Sequence, residues 1–312
     1  AQEVLHVLHD ATGGYATFIV AVENESGNFP LVLARLEAEV RRQQWRMPTI
    51  VVPSFDATDQ ECYLDGWRPG VEEYALDPMF KISKATYYRR EHGRKLKHTL
   101  FRELFGEEGD EGDLCAKDLG ELANDSSKGI LNGKIAFIHV DGNRFGSIRK
   151  EMCVNPKARE DFDANIQKYR EDFLKDMRKT AYNDPDFHFT SKNGKDVLRL
   201  EVLLWGGDEC TIIVPAWKGL EVLDRFYRKT ADLTFGGVQM THRAVVIFCH
   251  HDAPILQVRQ LAESMLEIAK KNIRSQFEDA LALDPALKSL AEEDRTQQLK
   301  LMSNAKYCNA AR

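Results

Sequence analysis

The sequence lacks the features of a membrane or exported protein. No apolar run approaches the ~20 residues that a membrane-spanning helix needs. The first residues, Ala1-Gln-Glu-Val, show no basic segment followed by an apolar one, so no secretory leader is expected. The 6 cysteines stand singly, outside any C-x-x-C pair, which disfavours a zinc ribbon or a thioredoxin-like redox site. Together these absences predict a protein of the reducing cytoplasm.

An excess of positive charge is also missing. Lys and Arg number 43 against 49 Asp and Glu, a net charge of −6, which is the wrong sign for a protein that coats nucleic acid. An anionic substrate would therefore need local positive charge, a metal ion, or both. With 312 residues, 43% of them hydrophobic, the chain is long enough for two globular domains.

One acidic, glycine-broken segment at residues 106–113 interrupts the chain and indicates a solvated loop near a domain boundary. We predict an N-terminal α/β region over residues 1–128 and a second domain over residues 129–312. The first region is expected to hold a strand, a helix and a strand, which we place at Tyr15–Val22, Leu31–Trp45 and Pro48–Val52.

The second domain shows a β-α-β-β-α-β-α order of apolar patterns. The expected strands are Lys134–Asp141, Leu198–Leu204, Thr211–Val214 and Ala244–Cys249, and the expected helices cover Phe162–Met177, Leu220–Lys229 and Val258–Ala269. This order predicts an α+β fold, a ferredoxin-like palm (βαββαβ) with one added helix.

Three carboxylates are expected to meet at one edge of that sheet. Asp141 ends the first strand, and Asp208 and Glu209 lie in the Gly-Gly turn of the hairpin. Clustered carboxylates repel one another unless cations hold them, and such oxygen ligands suit Mg²⁺ or Mn²⁺. Two such ions could assist phosphoryl transfer. The alternative is structural, because Asp and Gly are common in turns.

Two further features fit an anionic ligand. Residues 141–146 (Asp-Gly-Asn-Arg-Phe-Gly) form a glycine-flanked turn before a helix, where backbone N–H groups can cradle phosphate. Lys270 and Arg274 lie one helical turn apart and could neutralise a triphosphate tail. A plain strand-to-helix turn and a solvated helix face are the structural alternatives.

The segment Gly206-Gly207-Asp208-Glu209 resembles the signature loop of the GGDEF nucleotidyl cyclase superfamily, and Asp141 with Phe145 matches its D-x-x-x-F. Residues 241–251 and the helix that follows are similar to the second palm domain of the large, cyclase-bearing subunit of type III CRISPR effectors. The resemblance covers roughly residues 130–275.

The resemblance implies a role for each matching residue. Asp141 and Asp208 would hold two Mg²⁺ or Mn²⁺ ions with the carbonyl of Gly142. Glu209 would be an auxiliary acidic group near the attacking 3′-hydroxyl or the metal. The phosphate contacts it implies come from Arg144, Phe145, Gly146, the loop glycines Gly206 and Gly207, Lys270 and Arg274. A ribose hydroxyl would attack an α-phosphate and release pyrophosphate.

Some residues of this sequence differ from the superfamily pattern, and the differences bear on which product is expected. Cys210 replaces the Phe of the pentapeptide, at a position expected to be buried. Bacterial diguanylate cyclases recognise guanine with an Asn–Asp pair and are inhibited by their product at an R-x-x-D site. This sequence has neither motif at the matching positions. These absences disfavour a cyclic di-GMP synthase.

Two groups outside the palm core have open interpretations. Arg89, Arg90, Arg94, Lys95 and Lys97, beside Tyr87 and Tyr88, could contact RNA or an acceptor nucleotide, or form a solvated helix face. His250 and His251 are expected to form a structural turn, with metal binding the disfavoured alternative.

We therefore expect a metal-dependent nucleotidyltransferase that makes a cyclic or short oligonucleotide signal from nucleoside triphosphates, ATP first, in prokaryotic antiviral defence. A homodimer is expected, because one palm supplies one triphosphate site. The alternatives are a catalytically weak nucleotide- or RNA-binding palm that acts as a sensor, and a subunit of an RNA-guided complex.

Overall fold

The computed structural model describes most of the chain in several stretches. These are residues 19–24, 27–46, 60–66, 68–74, 77–105, 116–190, 194 and 196–283, with backbone alone for 98–105 and 272–283. The chain divides into two compact units, residues 1–103 and 104–312. The acidic segment lies outside the described residues, and the predicted boundary after residue 128 stays a prediction.

The first unit is mainly helical where it is described. Helix α1 spans Phe29–Arg46, strands β1 (Glu72–Glu73) and β2 (Lys81–Ile82) pair antiparallel, and helix α2 begins at Lys84 and ends at Phe105. The predicted first helix is confirmed. Of the predicted first strand, residues 19–22 are described and form no strand. Its other residues and the predicted strand at 48–52 lie outside the described part.

The second unit contains the remaining elements. In chain order they are α3 (Leu119–Ala123), a 3-10 turn (Ser126–Leu131), β3 (Lys134–Asn143), α4 (Phe145–Met152), α5 (Pro156–Asn183), β4 (His188–Thr190), β5 (Asp196–Leu198), β6 (Glu201–Gly206), β7 (Glu209–Pro215), a 3-10 turn (Ala216–Lys218), α6 (Gly219–Thr230), β8 (Thr234–Phe235), β9 (Val238–Gln239), β10 (Thr241–His250) and α7 (Ile255–Leu283).

A four-stranded antiparallel sheet organises this unit, with strand order β10-β3-β7-β6. The first strand, β3, is central and lies between the last strand and the hairpin β6–β7. This is the order of a ferredoxin-like βαββαβ sheet, so the predicted α+β palm fold is confirmed. Strand β3 pairs with β10 over ten positions without a register break.

Both faces of the central strand are covered. Ala136 lies on the face that packs against α6, where the backbone of Gly219 leaves no room for a Cβ atom. Ile135 and Phe137 lie on the other face and pack with α3 and α7, whose Val258 and Ala262 are buried there. Burial on both faces explains why β3 is a nearly continuous apolar run instead of an alternating one.

The prediction of one strand over Leu198–Leu204 is wrong. The chain forms β5, which pairs with β4, and then β6, which pairs with β7. The break falls at Arg199, whose backbone N–H donates to the carbonyl of Phe187 and whose guanidinium donates to carbonyl oxygens at the end of α3. Arg199 thus directs the chain from one sheet to the next.

Candidate active site

Gly142 is the point where the two acidic segments meet. Its backbone N–H donates to the carbonyl of Asp208 over 3.0 Å. A Cβ at Gly142 would lie 2.8 Å from the Cβ of Asp208 and 2.6 Å from the ring of Phe145. The hairpin turn and the residues after β3 can therefore approach this closely because position 142 has no side chain.

The turn itself follows the chemistry of its sequence. Gly206 pairs with Glu209, so Gly207 and Asp208 form a two-residue hairpin loop. Gly207 has φ of 56°, a left-handed conformation that glycine adopts without steric penalty. The loop holds Asp208 half-buried, while Glu209, Gly206 and Gly207 are exposed.

Asp141 is engaged by two cationic side chains. Its Oδ2 lies 3.2 Å from Lys270 Nζ and 3.8 Å from an Arg243 nitrogen. Lys270 also bonds to Glu267 over 2.7 Å. The Glu267 carboxylate, and to a smaller extent Asp141, raises the pKa of Lys270. Lys270 is thereby kept protonated beside Asp141.

The three predicted carboxylates share one sheet edge without forming a tight cluster. Asp141 and Glu209 are paired positions of β3 and β7, and the turn with Asp208 lies against Gly142. Among the described residues, these three carboxylates do not form a group whose oxygens all lie within 4.8 Å of one another. Like charges separate when no cation lies between them, and Asp141 bonds to Lys270 instead.

The turn after β3 begins helix α4. Arg144 has φ of 60° and ψ of 14°, the one left-handed non-glycine residue among those described, and its exposed side chain makes no capping hydrogen bond. Phe145 is 2% exposed and packs on Phe162, so it anchors the turn. The first-turn N–H groups of α4, which begins at Phe145 and includes Gly146, have no partners within the helix.

A cavity of about 260 Å³ opens beside Asp208. Its walls come from α4, α5 and the hairpin turn. The lining residues are Phe145, Gly146, Arg149, Phe162, Asp163, Ile166, Gln167, Arg170, Gly207 and Asp208. Phe145, Phe162 and Ile166 form the apolar part of the lining, and two arginines and two aspartates form its charged part. An apolar lining with a few polar groups suits a flat ligand.

A buried polar pair supports the cavity from behind. His242 is paired with Gly142 in the sheet and is 7% exposed. Its Nε2 is 2.8 Å from the hydroxyl of Tyr169, and its ring packs on Phe145. Burial lowers the pKa of His242 to about 4, so the imidazole is neutral at physiological pH.

The remaining predicted site residues are placed as follows. Lys270 reaches the site from α7, as described above. Arg274 lies on the same helix, but its side chain is outside the described residues. Cys210 is buried at 4% exposure as expected, and burial raises its thiol pKa to about 12.

Arg243 and Arg170 lie at the site but were not predicted from the sequence. Arg243 interrupts an apolar strand and faces Asp141 across the sheet. Arg170 lies between Ile166 and Phe173 on the inner side of α5, and one of its terminal nitrogens is buried without a hydrogen-bond partner. A charged residue inside a buried pattern was the signal in both cases.

The basic cluster predicted near the N-terminus lies on helix α2, in the first unit. Tyr87 and Tyr88 contact each other edge to face, and Arg90 lies 5.1 Å from the ring of Tyr74. Arg94 pairs with Glu91 on the same helix.

Among the described helices, none is long and apolar enough to cross a bilayer.

Comparison with known proteins gives structural likenesses alone. No protein-family profile matches the chain, and no curated protein matches its sequence. Csm1 from T. onnurineus is 15% identical over 80% of this chain, with a TM-score of 0.42. A Csm1–Csm4 cassette in complex with one ATP is 14% identical over 80% (TM-score 0.42), and an apo Csm1–Csm4 cassette is 15% identical over 45% (TM-score 0.34). The matches cover 35%, 38% and 19% of those chains.

Proposed function

We propose that the palm unit is a metal-dependent nucleotidyltransferase that joins nucleoside triphosphates, ATP first, into a cyclic or short oligonucleotide signal. The observation that carries the proposal is the contact at Gly142, which places the end of β3 against the turn that bears Asp208. Two acidic segments from distant parts of the chain are thereby held within reach of one ligand.

The donor chemistry of this edge fits hard divalent ions. Asp141 and Asp208 offer carboxylate oxygens and Gly142 offers a backbone carbonyl, a set that suits Mg²⁺ or Mn²⁺. When bound, such ions supply charge neutralisation on the phosphates and on the attacking oxygen. With Asp141 as a ligand, Lys270 would keep its bond to Glu267, and its remaining N–H groups would be available to phosphate.

The chain's own groups would then position the substrate. Lys270 and Arg243, and Arg274 one turn further along α7, would hold the β- and γ-phosphates. The first-turn N–H groups of α4 would donate to the same phosphates. The cavity beside Asp208 would receive the base, with its ring against the apolar residues of the lining and near Arg170.

The proposed reaction is a nucleotidyl transfer. A ribose hydroxyl oxygen forms a bond to the α-phosphorus, the bond from that phosphorus to the β-bridging oxygen breaks, and pyrophosphate leaves. The hydroxyl proton passes to solvent, with Glu209 as the nearby carboxylate. We place this activity in antiviral defence, in line with the resemblance to CRISPR cyclase subunits, and a nucleotide-binding palm without turnover is the alternative.

The test is incubation of the protein with labelled ATP and Mn²⁺, followed by mass spectrometry of the products. We expect pyrophosphate and oligoadenylate from the wild type, and a loss of at least a hundredfold in rate for Asp208→Ala, because one metal ligand is removed. Asp224→Ala, an exposed carboxylate on α6, is the matched control and should keep full activity. ATP binding without any product in the wild type would favour the non-catalytic alternative.

A further inference from the structure

A second group of metal-ligating side chains lies at the opposite end of the sheet. Among the described residues, His250, His251 and Asp252 form the one group of three whose ligand atoms all lie within 4.8 Å of one another. His250 pairs with Lys134 and Arg243 with Asp141, at the two ends of β3. At about 3.3 Å per residue the two sites are roughly 20 Å apart along the strand.

The distances within the group match those of a small metal centre. His250 Nδ1 is 3.3 Å from Asp252 Oδ2, and His251 Nδ1 is 3.0 Å from Asp252 Oδ1. Ligand atoms bound tetrahedrally at ~2.0–2.1 Å from a zinc ion are themselves about 3.3 Å apart. Each imidazole Nδ1 therefore already lies at ligand spacing from one oxygen of the Asp252 carboxylate, His250 from Oδ2 and His251 from Oδ1.

His250 Nδ1 has two neighbours on Asp252. The backbone N–H of Asp252 donates to it over 3.3 Å, and the carboxylate oxygen Oδ2 lies 3.3 Å away. An ion bound between this nitrogen and the carboxylate takes the lone pair that accepts the N–H, so the hydrogen bond and the ion are alternatives.

The two rings differ in their surroundings. The backbone N–H of His251 donates to the carbonyl of Gly133, and the His251 ring lies 3.3 Å from the position a Cβ would take at Gly120. The Nε2 atom of His250 lies 3.2 Å from the corresponding position at Gly133. The His251 side chain is 19% exposed, while Asp252 and His250 are open to solvent at 76% and 56% exposure.

We infer that His250, His251 and Asp252 bind one divalent transition-metal ion of the zinc class, with water completing the coordination. Imidazole nitrogens select Zn²⁺, Ni²⁺ or Cu²⁺ over Mg²⁺ and Mn²⁺, which prefer oxygen ligands. The ion would lie at the end of β10 and in the turn that follows, near Gly120 of α3. This site is independent of the proposed catalytic edge. The turn expected from the sequence is present at His251 and Asp252, and the inference adds metal binding to it.

The test is isothermal titration calorimetry of the EDTA-treated, desalted full chain with ZnCl₂. We expect one equivalent of Zn²⁺ for the wild type and at least tenfold weaker binding for the double variant His250→Ala/His251→Ala. Zn²⁺ should also raise the Tm of the wild type and leave that of the double variant unchanged.

Three further variants keep the result interpretable. His92→Ala removes an exposed histidine of α2 and Asp208→Ala removes the proposed catalytic ligand, and both should bind Zn²⁺ like the wild type. If the double variant does not fold by circular dichroism, Asp252→Asn should show the same tenfold weakening. Absence of Zn²⁺ binding by the wild type, unchanged binding by the double variant, or loss of binding in Asp208→Ala would overturn the inference.

Discussion

Gly142 decides how closely the strand end and the hairpin turn can approach. Substitution by Ala would place a methyl group 2.6 Å from Phe145 and 2.8 Å from Asp208, so one of the two segments must move. We expect Gly142→Ala to lower the free energy of unfolding by about 1–3 kcal/mol, measured by urea denaturation.

Gly146 provides the matched control for this substitution. It lies in the first turn of α4, and no heavy atom is within 4 Å of the position its Cβ would take. Gly146→Ala should therefore be neutral or stabilise the fold by up to about 1 kcal/mol, because Ala favours the helix. Equal effects of the two substitutions would show that the contact at Gly142 is not tight.

His242 gives the fold a dependence on pH. Its folded pKa of about 4 lies below the ordinary value of 6.5 because the ring is buried. Between pH 6.5 and 4 the unfolded chain binds a proton that the folded chain does not, so stability falls as the pH is lowered through this window. The expected loss at pH 4 is about 2–3 kcal/mol.

The measurement is the Tm as a function of pH for the wild type and His242→Gln. Gln keeps a polar group near Tyr169 but does not titrate, so the variant should lose less stability between pH 6.5 and 4. The buried His139, whose pKa is also lowered by burial, remains in both proteins and accounts for a shared part of the slope. Parallel curves for the two proteins would contradict the assignment to His242.

At the scale of elements, Arg199 joins α3 to the junction of β5 and β6. Arg199 is 5% exposed, and its guanidinium donates to the carbonyls of Glu121, Leu122 and Asn124. The same group lies 4.8 Å from the ring of Phe189 and 5.6 Å from the ring of Trp217. These acceptors end a short helix and would be left without a donor if the guanidinium were removed.

We therefore expect Arg199→Met to lower the free energy of unfolding by about 3 kcal/mol, since buried hydrogen bonds to a charged group are lost. Chemical denaturation measures the change. Arg228→Met is the matched control, because Arg228 pairs with Asp224 on the exposed surface of α6 and such pairs contribute about 0–1 kcal/mol. A loss below 1 kcal/mol for Arg199→Met would mean that the arginine is not needed for this junction.

The elements also show what the sequence could predict. The long periodic segments, β3, α5, α6 and the hairpin at Gly207, follow from hydrophobic pattern and turn chemistry. The break at Arg199 could not be predicted, because alternation shows which residues face one way but not which sheet they join. The pairing of Asp141 with Lys270 and Arg243 depends on the register between distant strands and on a helix that returns across the sheet, and local sequence patterns do not contain either.

At the scale of the molecule, the proposed activity requires two palms. One unit carries one set of Asp141, Asp208 and Lys270, which in the proposed function would position one triphosphate. The second nucleotide must be held with its hydroxyl in line with the α-phosphate, and such positioning provides much of the acceleration. A two-fold homodimer would supply it with the same surface from each partner.

The prediction is that specific activity falls as the protein is diluted below its dimer dissociation constant. Activity measured over a protein concentration series, beside sedimentation velocity on the same samples, checks it. A mixture of Asp208→Ala and wild-type chains should show less activity than the wild-type fraction alone would give. Constant specific activity far below the dissociation constant would mean that the monomer is sufficient.

The unbroken pairing of β3 with β10 limits how this chain can change length. One residue inserted within β3 would shift every later side chain to the opposite face, so that Asp141 would point into the α5–α6 layer and Val140 toward α7. Strand β6 differs, because its pairing with β7 already shifts between Val202 and Leu204. One-residue insertions and deletions should therefore leave the fold intact in the edge strand β6 and disrupt it in β3, whichever residue is inserted or removed.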